Sequence, residues 1–313
     1  MQVIHFLSCN RQFSQPTSYT KIKITMKNTL IGLAAFLLIL NACTNNSKPS
    51  TSNQAASQGL EKLWESDTVF TTAESALFDE ATNTIYVSNI EGEPWGSDST
   101  GSIGKLSPEG KVIAAKWVTG LNAPKGLAIS NGKLYTADMT QLVEIDLATG
   151  KITNKYTVPD AEGLNDVTNA PDGTIFFTDS EKGAVYQLKN GAVSKVLEGL
   201  GGSNGILHEK DRLLLGIWKD STLMAYQFAD KKQVTLGTQI PQPDGIEAVG
   251  DGSYLVSSWK GLIHQVYPDG KAILILDTAK DSISAADIDY VKAKKMILVP
   301  TFFRNSIVAY ELK

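Results

Sequence analysis

The chain of 313 residues has few of the residues that form disulfides and many metal sites. It contains only two cysteines, Cys9 and Cys43, and only three histidines. If processing removes Cys9 and a lipid occupies Cys43, no disulfide framework is possible. No cluster of Lys and Arg interrupts a mildly acidic composition with a net charge of −4, which argues against binding to nucleic acid. After the amino-terminal region, no long segment has helical periodicity.

The amino terminus has the pattern of an export signal. An apolar run of eleven residues, Leu30–Leu40, follows Lys27 and leads to Asn41-Ala42-Cys43. This run is too short to span a bilayer as a mature helix and resembles a bacterial lipoprotein signal that starts at Met26, with residues 1–25 as an upstream extension. An ordinary cleaved signal and an uncleaved anchor are the alternatives. We expect residues 1–42 to be removed and Cys43 to be lipidated.

The mature chain then begins with a polar segment rich in Ser and Asn. Residues 43–59 have no apolar period, so we interpret them as the lipidated cysteine and a flexible tether. Residues 1–42 hold four basic and no acidic residues, which leaves 25 Lys and Arg against 33 Asp and Glu in the mature chain, a net charge of −8. We expect residues 60–313 to form a monomeric domain held at the bacterial cell envelope, facing the periplasm or the cell surface.

The domain carries an internal repeat. Six times, at intervals of about 40 residues, a turn-like motif precedes an apolar strand, which is the signature of a propeller. We call the residue that opens each motif the anchor. The six predicted anchors are Glu74, Lys125, Asn165, Asn204, Asp244 and Asp287.

Further strands complete each repeat and predict how the ring closes. Turns such as Asn190-Gly191 and Asp269-Gly270 join third strands to fourth strands. Five fourth strands follow their repeats, and the chain ends before a sixth. The segment at residues 61–68 precedes the first motif as the other fourth strands precede theirs. The sequence therefore predicts an all-β, six-bladed propeller closed by an amino-terminal strand in the last blade.

The anchors offer oxygen ligands to a metal ion. First strands line the axis of a propeller, so Glu74, Asn165, Asn204 and Asp244 should converge there. Carboxylate and carboxamide oxygens suit a hard divalent cation, most simply calcium, better than zinc. Any one of these motifs alone is explained by turn formation, but four at one register favour a metal site.

These motifs resemble those of a known family. The segments around Glu74 (AESALFDEATNTIYVSN), Asn165 (GLNDVTNAPDG), Asn204 (GGSNGILHEKDRLLL) and Asp244 (QPDGIEAVGDGSYLV) are similar to metal-ligand motifs of the gluconolactonase, regucalcin (senescence marker protein) and luciferin-regenerating-enzyme family. The resemblance covers nearly all of residues 60–313. It implies a divalent ion held by Glu74, Asn204 and Asp244, with Asn165 as a fourth ligand or as a contact to water and substrate.

Lys125 departs from this pattern. An ammonium close to a dication is repelled unless a carboxylate lies between them, so we expect Lys125 to pair with Glu74 or Asp287. The axis would then carry three carboxylates and one ammonium, and one divalent ion would balance it. The alternative is that the Lys125 ammonium replaces the ion, so that the site no longer binds a metal.

The mouth of the channel should be built by the loops that follow the second strands. They predict a polar side of Asn89, Asp138 and Asp179 and an aromatic side of Trp218, Trp259 and Phe302. Such a mouth suits a sugar-like or other amphipathic ring, although packing between blades also explains the aromatics. The long insertion at residues 91–99 should cover the mouth through Trp95.

Together these features predict a calcium-dependent hydrolase of lactones or related esters. Asp244 is the candidate general base, and Lys125 is the candidate catalytic residue that orients a substrate hydroxyl or carboxylate. Asn165, Asp287 and the aromatic residues of the mouth would contact the small-molecule substrate. The alternatives are a non-catalytic ligand-binding or sensor lipoprotein with the same pocket, and a structural propeller without an ion, because the fold alone does not separate these functions.

Overall fold

The computed structural model describes residues 59–313, and within them all regular structure apart from two short 3₁₀ turns is β-strand. The signal segment, Cys43 and the tether lie outside the described residues. None of the helices in the described part is long and apolar enough to cross a membrane.

Residues 59–313 form 24 strands and two 3₁₀ turns, at Ala279–Asp281 and Lys292–Lys294. The strands are, in chain order, β1 (Leu60–Glu65), β2 (Ala73–Asp79), β3 (Thr84–Asn89), β4 (Gly101–Leu106), β5 (Val112–Leu121), β6 (Pro124–Ser130), β7 (Lys133–Asp138), β8 (Gln141–Asp146), β9 (Ile152–Thr157), β10 (Leu164–Asn169), β11 (Ile175–Asp179), β12 (Ala184–Lys189), β13 (Ala192–Leu197), β14 (Ser203–Glu209), β15 (Arg212–Ile217), β16 (Thr222–Gln227), β17 (Gln233–Gly237), β18 (Pro243–Ala248), β19 (Tyr254–Ser258), β20 (Leu262–Val266), β21 (Ala272–Asp277), β22 (Asp289–Val291), β23 (Met296–Pro300) and β24 (Ile307–Leu312).

These strands form six antiparallel sheets of four, which are the blades of the predicted propeller. The first five blades are β2 to β5, β6 to β9, β10 to β13, β14 to β17 and β18 to β21, each in sequence order. Tight turns join the outer strands. Asn190 and Gly191 both have positive φ between β12 and β13, at 52° and 76°, as a type I′ hairpin requires.

The sixth blade joins the two ends of the domain. Its strand order is β1, β24, β23, β22, with Leu60 opposite Leu312 and Glu65 opposite Val308. The predicted closure by the amino-terminal strand is therefore confirmed. The indole of Trp64 packs beside this junction against the buried cluster that holds Phe70 and Leu298, so closure joins hydrogen bonding to apolar burial.

The core lies between blades. One cluster packs Leu142 and Ala128 of the second blade against Phe177 and Tyr186 of the third. Another packs Leu255 and Ile263 of the fifth blade against residues of the sixth. Burial of this kind supplies most of the stability of a sheet protein, and it leaves the inner edges of the first strands free to line the axis.

Candidate functional site

A β-bulge places the anchors of the first five blades at the axis. In the first blade, Glu74 and Ser75 together oppose the single residue Ser88, between the pairs Ala73 with Asn89 and Ala76 with Val87. The Ser88 hydroxyl accepts a hydrogen bond from the Ser75 backbone N–H at 2.9 Å, which satisfies the donor that the bulge releases. The same register shift occurs in the next four blades. Bulges often re-aim a side chain next to a functional site.

The bulge corrects one predicted anchor. Asp287 pairs in a parallel bridge with Ser75, not with Glu74, and its backbone N–H donates to the Glu74 carbonyl at 2.9 Å. The residue at the anchor position of the sixth blade is therefore the buried Ala286, and Asp287 lies one position later. Because adjacent bulge residues point along the axis in different directions, Asp287 lines a different cavity from the other anchors.

The five remaining anchors line one cavity of about 510 Å³, which we call the aromatic cavity. Its polar lining residues are Glu74, Glu93, Lys125, Asn165, Asn204, Gln242 and Asp244. Its apolar lining residues are Ile90, Pro94, Trp95, Trp218, Trp259, Phe302 and Phe303. The structure thus brings together the predicted metal-ligand, catalytic and aromatic residues of the domain, but not Asp287 or the predicted polar side of Asn89, Asp138 and Asp179. It adds residues of the insertion, and also Gln242 and Phe303, which no repeat pattern singles out.

Three of the four predicted ligands carry an oxygen without a hydrogen-bond partner. These buried atoms are Glu74 Oε2, Asn204 Oδ1 and Asp244 Oδ1, in side chains that are at most 5% exposed. The fourth residue, Asn165, uses its amide Nδ2 to donate to Ser180 Oγ at 3.0 Å, a bond that leaves the amide oxygen free. Unpaired buried oxygens are costly, and a cation would satisfy them.

The pKa shifts of the anchor carboxylates also favour a bound cation. Burial raises the pKa of Glu74 well above its usual range, and the charges of Asp244 and Asp287 add to the effect. Burial also raises the pKa of Asp244, with a further contribution from Asp287. Both carboxylates are therefore costly to ionise without a positive partner. Within residues 59–313, no three Asp, Glu, His or Cys side chains are grouped to hold a metal ion, so the set that fits a cation combines two carboxylates with carboxamides.

Lys125 does not form either predicted ion pair. Its ammonium donates to the Pro94 carbonyl at 2.7 Å and to the Ala123 carbonyl at 3.1 Å, and it lies 4.2 Å from the centroid of a Trp95 ring. Burial lowers the pKa of Lys125 to about 8, which the charge of Glu74 opposes. The lysine therefore fastens the insertion to the second blade, because two carbonyls and an aromatic face offer closer partners than the carboxylates.

The insertion lies over the cavity, as the sequence predicts. Glu93, Pro94 and Trp95 line it, and Trp95 is 43% exposed. Glu91 is bonded to Ser102 and Lys116. After Trp95, the Ser99 backbone N–H donates to Asn122 Oδ1 at 3.3 Å, so the loop is attached on both sides of Trp95.

Aromatic rings form the opposite part of the mouth. Trp259 packs edge to face with Phe302 and Phe303, at centroid distances of 5.6 and 6.1 Å, and the two phenylalanine rings are 4.7 Å apart. Phe302 has a left-handed backbone with φ of 51°, which costs on the order of 1–3 kcal/mol for a bulky residue and is typical of functional sites. Phe303 is 64% exposed at the rim.

The predicted polar side of the mouth does not exist. Asp138 is buried and accepts from the backbone N–H groups of Asn122 and Ala123 at 2.9 and 2.8 Å. Asp179 accepts in the same way from the loop before β10, and the Asn89 amide donates to Ser102 Oγ and the Ala115 carbonyl. These side chains hold the chain as it passes between blades, so their polar atoms are used within the fold.

Asp287 belongs to a second cavity of about 300 Å³ on the axis, which we call the acidic cavity. The carboxyl residues that line it, besides Asp79 on its edge, are Asp166, Glu247, Asp287 and Asp289. The predicted balance of three carboxylates and one ammonium is therefore wrong, because the aromatic cavity holds Glu74, Asp244 and Lys125 at the axis and Asp287 lies elsewhere. The sequence signal for this cavity is the carboxylate that directly follows an anchor, as Asp166 follows Asn165.

The fold and site together define a six-bladed propeller whose axis carries an oxygen-lined cavity under an aromatic mouth. Residues 72–288 match the SMP-30/Gluconolactonase/LRE-like region, and the chain belongs to this family. No curated protein matches the sequence.

Solved structures with the same fold are distant in sequence. A gluconolactonase from Xanthomonas campestris is 15% identical, with a TM-score of 0.60 over 81% of this chain and 89% of the other. A catalytically inactive variant of virginiamycin B lyase from Staphylococcus aureus, in complex with quinupristin, is 14% identical, with a TM-score of 0.57 over 81% of this chain and 99% of the other. At such identities the likeness shows the fold alone.

Proposed function

We propose that this propeller is a metal-dependent hydrolase of lactones or related esters, with calcium as the expected ion. The observation that carries the proposal is the set of three unpartnered buried oxygens, one each on Glu74, Asn204 and Asp244, at the same position of three blades. Asn165 is the proposed fourth contact. Membership of the gluconolactonase-like family supports the reaction class.

The chemistry follows from the residues of the aromatic cavity. A bound divalent ion supplies Lewis-acid polarisation of a carbonyl and stabilises developing negative charge. Asp244 is the proposed general base, since its carboxylate lines the cavity and has an oxygen without a hydrogen-bond partner. Water oxygen bonds to the acyl carbon, Asp244 accepts the water proton, the ring C–O bond breaks, and the proton is passed to the alcohol that leaves.

Lys125 has a positioning role in this proposal. Its ammonium is engaged by the Pro94 and Ala123 carbonyls, so it fixes the insertion over the cavity and sets where a substrate group meets Trp95. Contact of Lys125 with a substrate oxygen requires that one of these bonds be shared or exchanged. The proposal keeps Lys125 in the site and assigns the proton transfer to Asp244.

The setting of the protein is part of the proposal. We infer a lipid anchor at Cys43, a location in the bacterial cell envelope facing the periplasm or the cell surface, and a monomer that acts on a small molecule and does not bind nucleic acid. The sequence features at residues 27–43 support the anchor.

The test measures metal and turnover on the same samples. Calcium should raise the melting temperature of the chelator-treated protein in a concentration-dependent way, because the ion binds only the folded form. Asp244→Asn should weaken calcium binding and lower lactone hydrolysis at least about 100-fold, the low end for loss of an acid–base group. Asp211→Asn, an exposed carboxylate near the β14–β15 turn, is the matched control and should behave as the parent.

The outcomes separate the candidate functions. Calcium binding without hydrolysis of any lactone or ester would favour the ligand-binding or sensor alternative. A melting curve that ignores both calcium and chelator would contradict the metal site and favour a structural propeller.

A further inference from the structure

The walls of the aromatic cavity are apolar where a sugar would need partners. We propose that the substrates are lactones with a neutral apolar substituent, such as an alkyl or aryl chain, and not polyhydroxylated sugar lactones. This inference rests on the proposed lactone hydrolysis. It deepens that function by assigning the part of the substrate that does not react.

Most polar groups of the cavity belong to the anchor side chains. The anchor side chains contribute the proposed ligand oxygens. In a bound lactone, the reacting ester group would lie next to these side chains. Beyond them the lining consists of three tryptophans, two phenylalanines, Ile90 and Pro94, with Gln242 and the exposed Glu93 as the two polar side chains. Apolar walls with a few placed polar groups are typical of sites for hydrophobic ligands.

The carboxylates predicted on the polar side of the mouth are already used within the fold. Asp138 and Asp179 accept hydrogen bonds from backbone N–H groups, and both are fully buried. Among the buried side-chain atoms of the walls, Trp218 Nε1 and Gln242 Oε1 lack a partner, and the one other polar wall residue, Glu93, is exposed on the insertion. One donor and one acceptor suffice for a single neutral group such as an amide, whereas the several hydroxyls of an aldonolactone would lose their water without replacement.

The cavity also offers no free cationic side chain to an anionic substituent. Lys125 is its only basic lining residue, and its ammonium is held by two backbone carbonyls under Trp95. A carboxylate or phosphate on the substrate would have to displace these bonds and approach Glu74 and Asp244. A neutral substituent avoids this cost.

The rim extends the apolar wall into solvent. Trp95 and Phe303 are among the few large hydrophobic side chains that are strongly exposed in the described part of the chain, and both line this cavity. Phe303 is held in place by its contacts with Phe302 and Trp259. Exposed aromatic residues at the entrance of a cavity indicate a binding surface, which a chain longer than the cavity would cover.

The experiment compares kcat/KM for γ-lactones with unbranched alkyl substituents from methyl to octyl, and for glucono-δ-lactone. The value of kcat/KM should rise by up to about fourfold per buried methylene, and glucono-δ-lactone should be the poorest substrate. Phe303→Ala should lower the octyl-to-methyl ratio of kcat/KM by about three- to tenfold, mainly through KM. Ile113→Ala is the matched control, because Ile113 is 57% exposed on β5 and lies outside the cavity.

A binding measurement keeps the inference testable apart from turnover. The corresponding alkyl lactams resist hydrolysis, and their dissociation constants can be measured by calorimetry on the calcium-loaded parent and on Phe303→Ala. The octyl lactam should bind the parent more tightly than the methyl lactam and lose this advantage in the variant.

The two proposals fail in different ways. Efficient hydrolysis of glucono-δ-lactone with no gain from alkyl chains would overturn the apolar substrate class and leave lactone hydrolysis standing. Lactam affinities that do not depend on chain length would also overturn it. Tight binding of the octyl lactam without hydrolysis of any lactone would support the apolar ligand class and contradict the proposed function.

Discussion

Replacing Asp287 in the acidic cavity should stabilise the protein at alkaline pH and have little effect at acidic pH. The side chain is 8% exposed and accepts a hydrogen bond from the Ser75 hydroxyl at 2.6 Å. The pKa of Asp287 is raised from 3.8 to about 7, chiefly by burial and also by the charge of Asp289, and hydrogen bonds with Ser75 and Asp166 partly offset these effects. The substitution Asp287→Asn removes the charge and keeps an oxygen that can accept from Ser75.

The direction in which the stability changes with pH follows from proton binding. The folded pKa of Asp287 lies above the unfolded value, so between the two the folded state binds a proton that the unfolded state has lost. Stability is therefore lost as pH rises through this window, and the loss is complete above the folded pKa of about 7. Because one pKa unit corresponds to about 1.36 kcal/mol, the ionised carboxylate costs at most about 4 kcal/mol.

The expected gain of Asp287→Asn in unfolding free energy is about 2–4 kcal/mol at pH of about 8.5 and below about 0.5 kcal/mol at pH of about 3.5, below the unfolded pKa of 3.8. Urea denaturation at both pH values, with chelator present, measures it. Asp67→Asn makes the same chemical change on an exposed carboxylate and should give no pH-dependent difference. An equal effect of Asp287→Asn at both pH values, or a loss of stability at the higher one, would refute the reasoning.

Three further predictions concern the anchor, the closure of the ring and the lysine of the site. Cys43→Ser should release the protein from the membrane fraction on cell fractionation; unchanged partitioning would contradict lipidation. A chain that starts at Gly59 should melt like the intact domain, whereas one that starts at Thr71 should melt lower, because it lacks β1 and the buried Phe70; equal melting temperatures would show that closure contributes nothing. Lys125→Met should leave calcium affinity unchanged or tighter in titration calorimetry, since it removes a repelling charge; loss of calcium binding would assign the lysine to the ion site.

The repeat could be predicted from the sequence because each blade combines three independent signals. A bulge motif, apolar strands and Gly-containing turns recur in register, and their agreement defines the strands better than any one signal alone. The closure was predictable for the same reason, since five fourth strands and one unassigned strand at the other end leave a single place for β1. The family resemblance pointed to the same segments, and residues 72–288 confirm it.

The polar side of the mouth could not be predicted because hydrogen-bond partners are not visible in a sequence. Asp138 and Asp179 stand at the ends of second strands, where a site residue is expected. In the fold they accept from N–H groups of the loop that precedes the first strand of the same blade, an arrangement that resembles capping of a turn. A carboxylate at a loop is therefore consistent with either role until the backbone around it is known.

The sixth anchor was misplaced by one residue, and the consequence is large because of how a bulge works. The sequence Ala285-Ala286-Asp287 offers a carboxylate close to the expected spacing, and chemistry alone favours it over alanine. Yet the two bulge residues of a blade line different cavities, as Glu74 and Ser75 do in the first blade. One step along the chain therefore moves a negative charge from the aromatic cavity to the acidic cavity. The aromatic cavity then needs less counter-charge than the sequence implied, and the acidic cavity gains a cost of ionisation that the Asp287→Asn experiment measures directly.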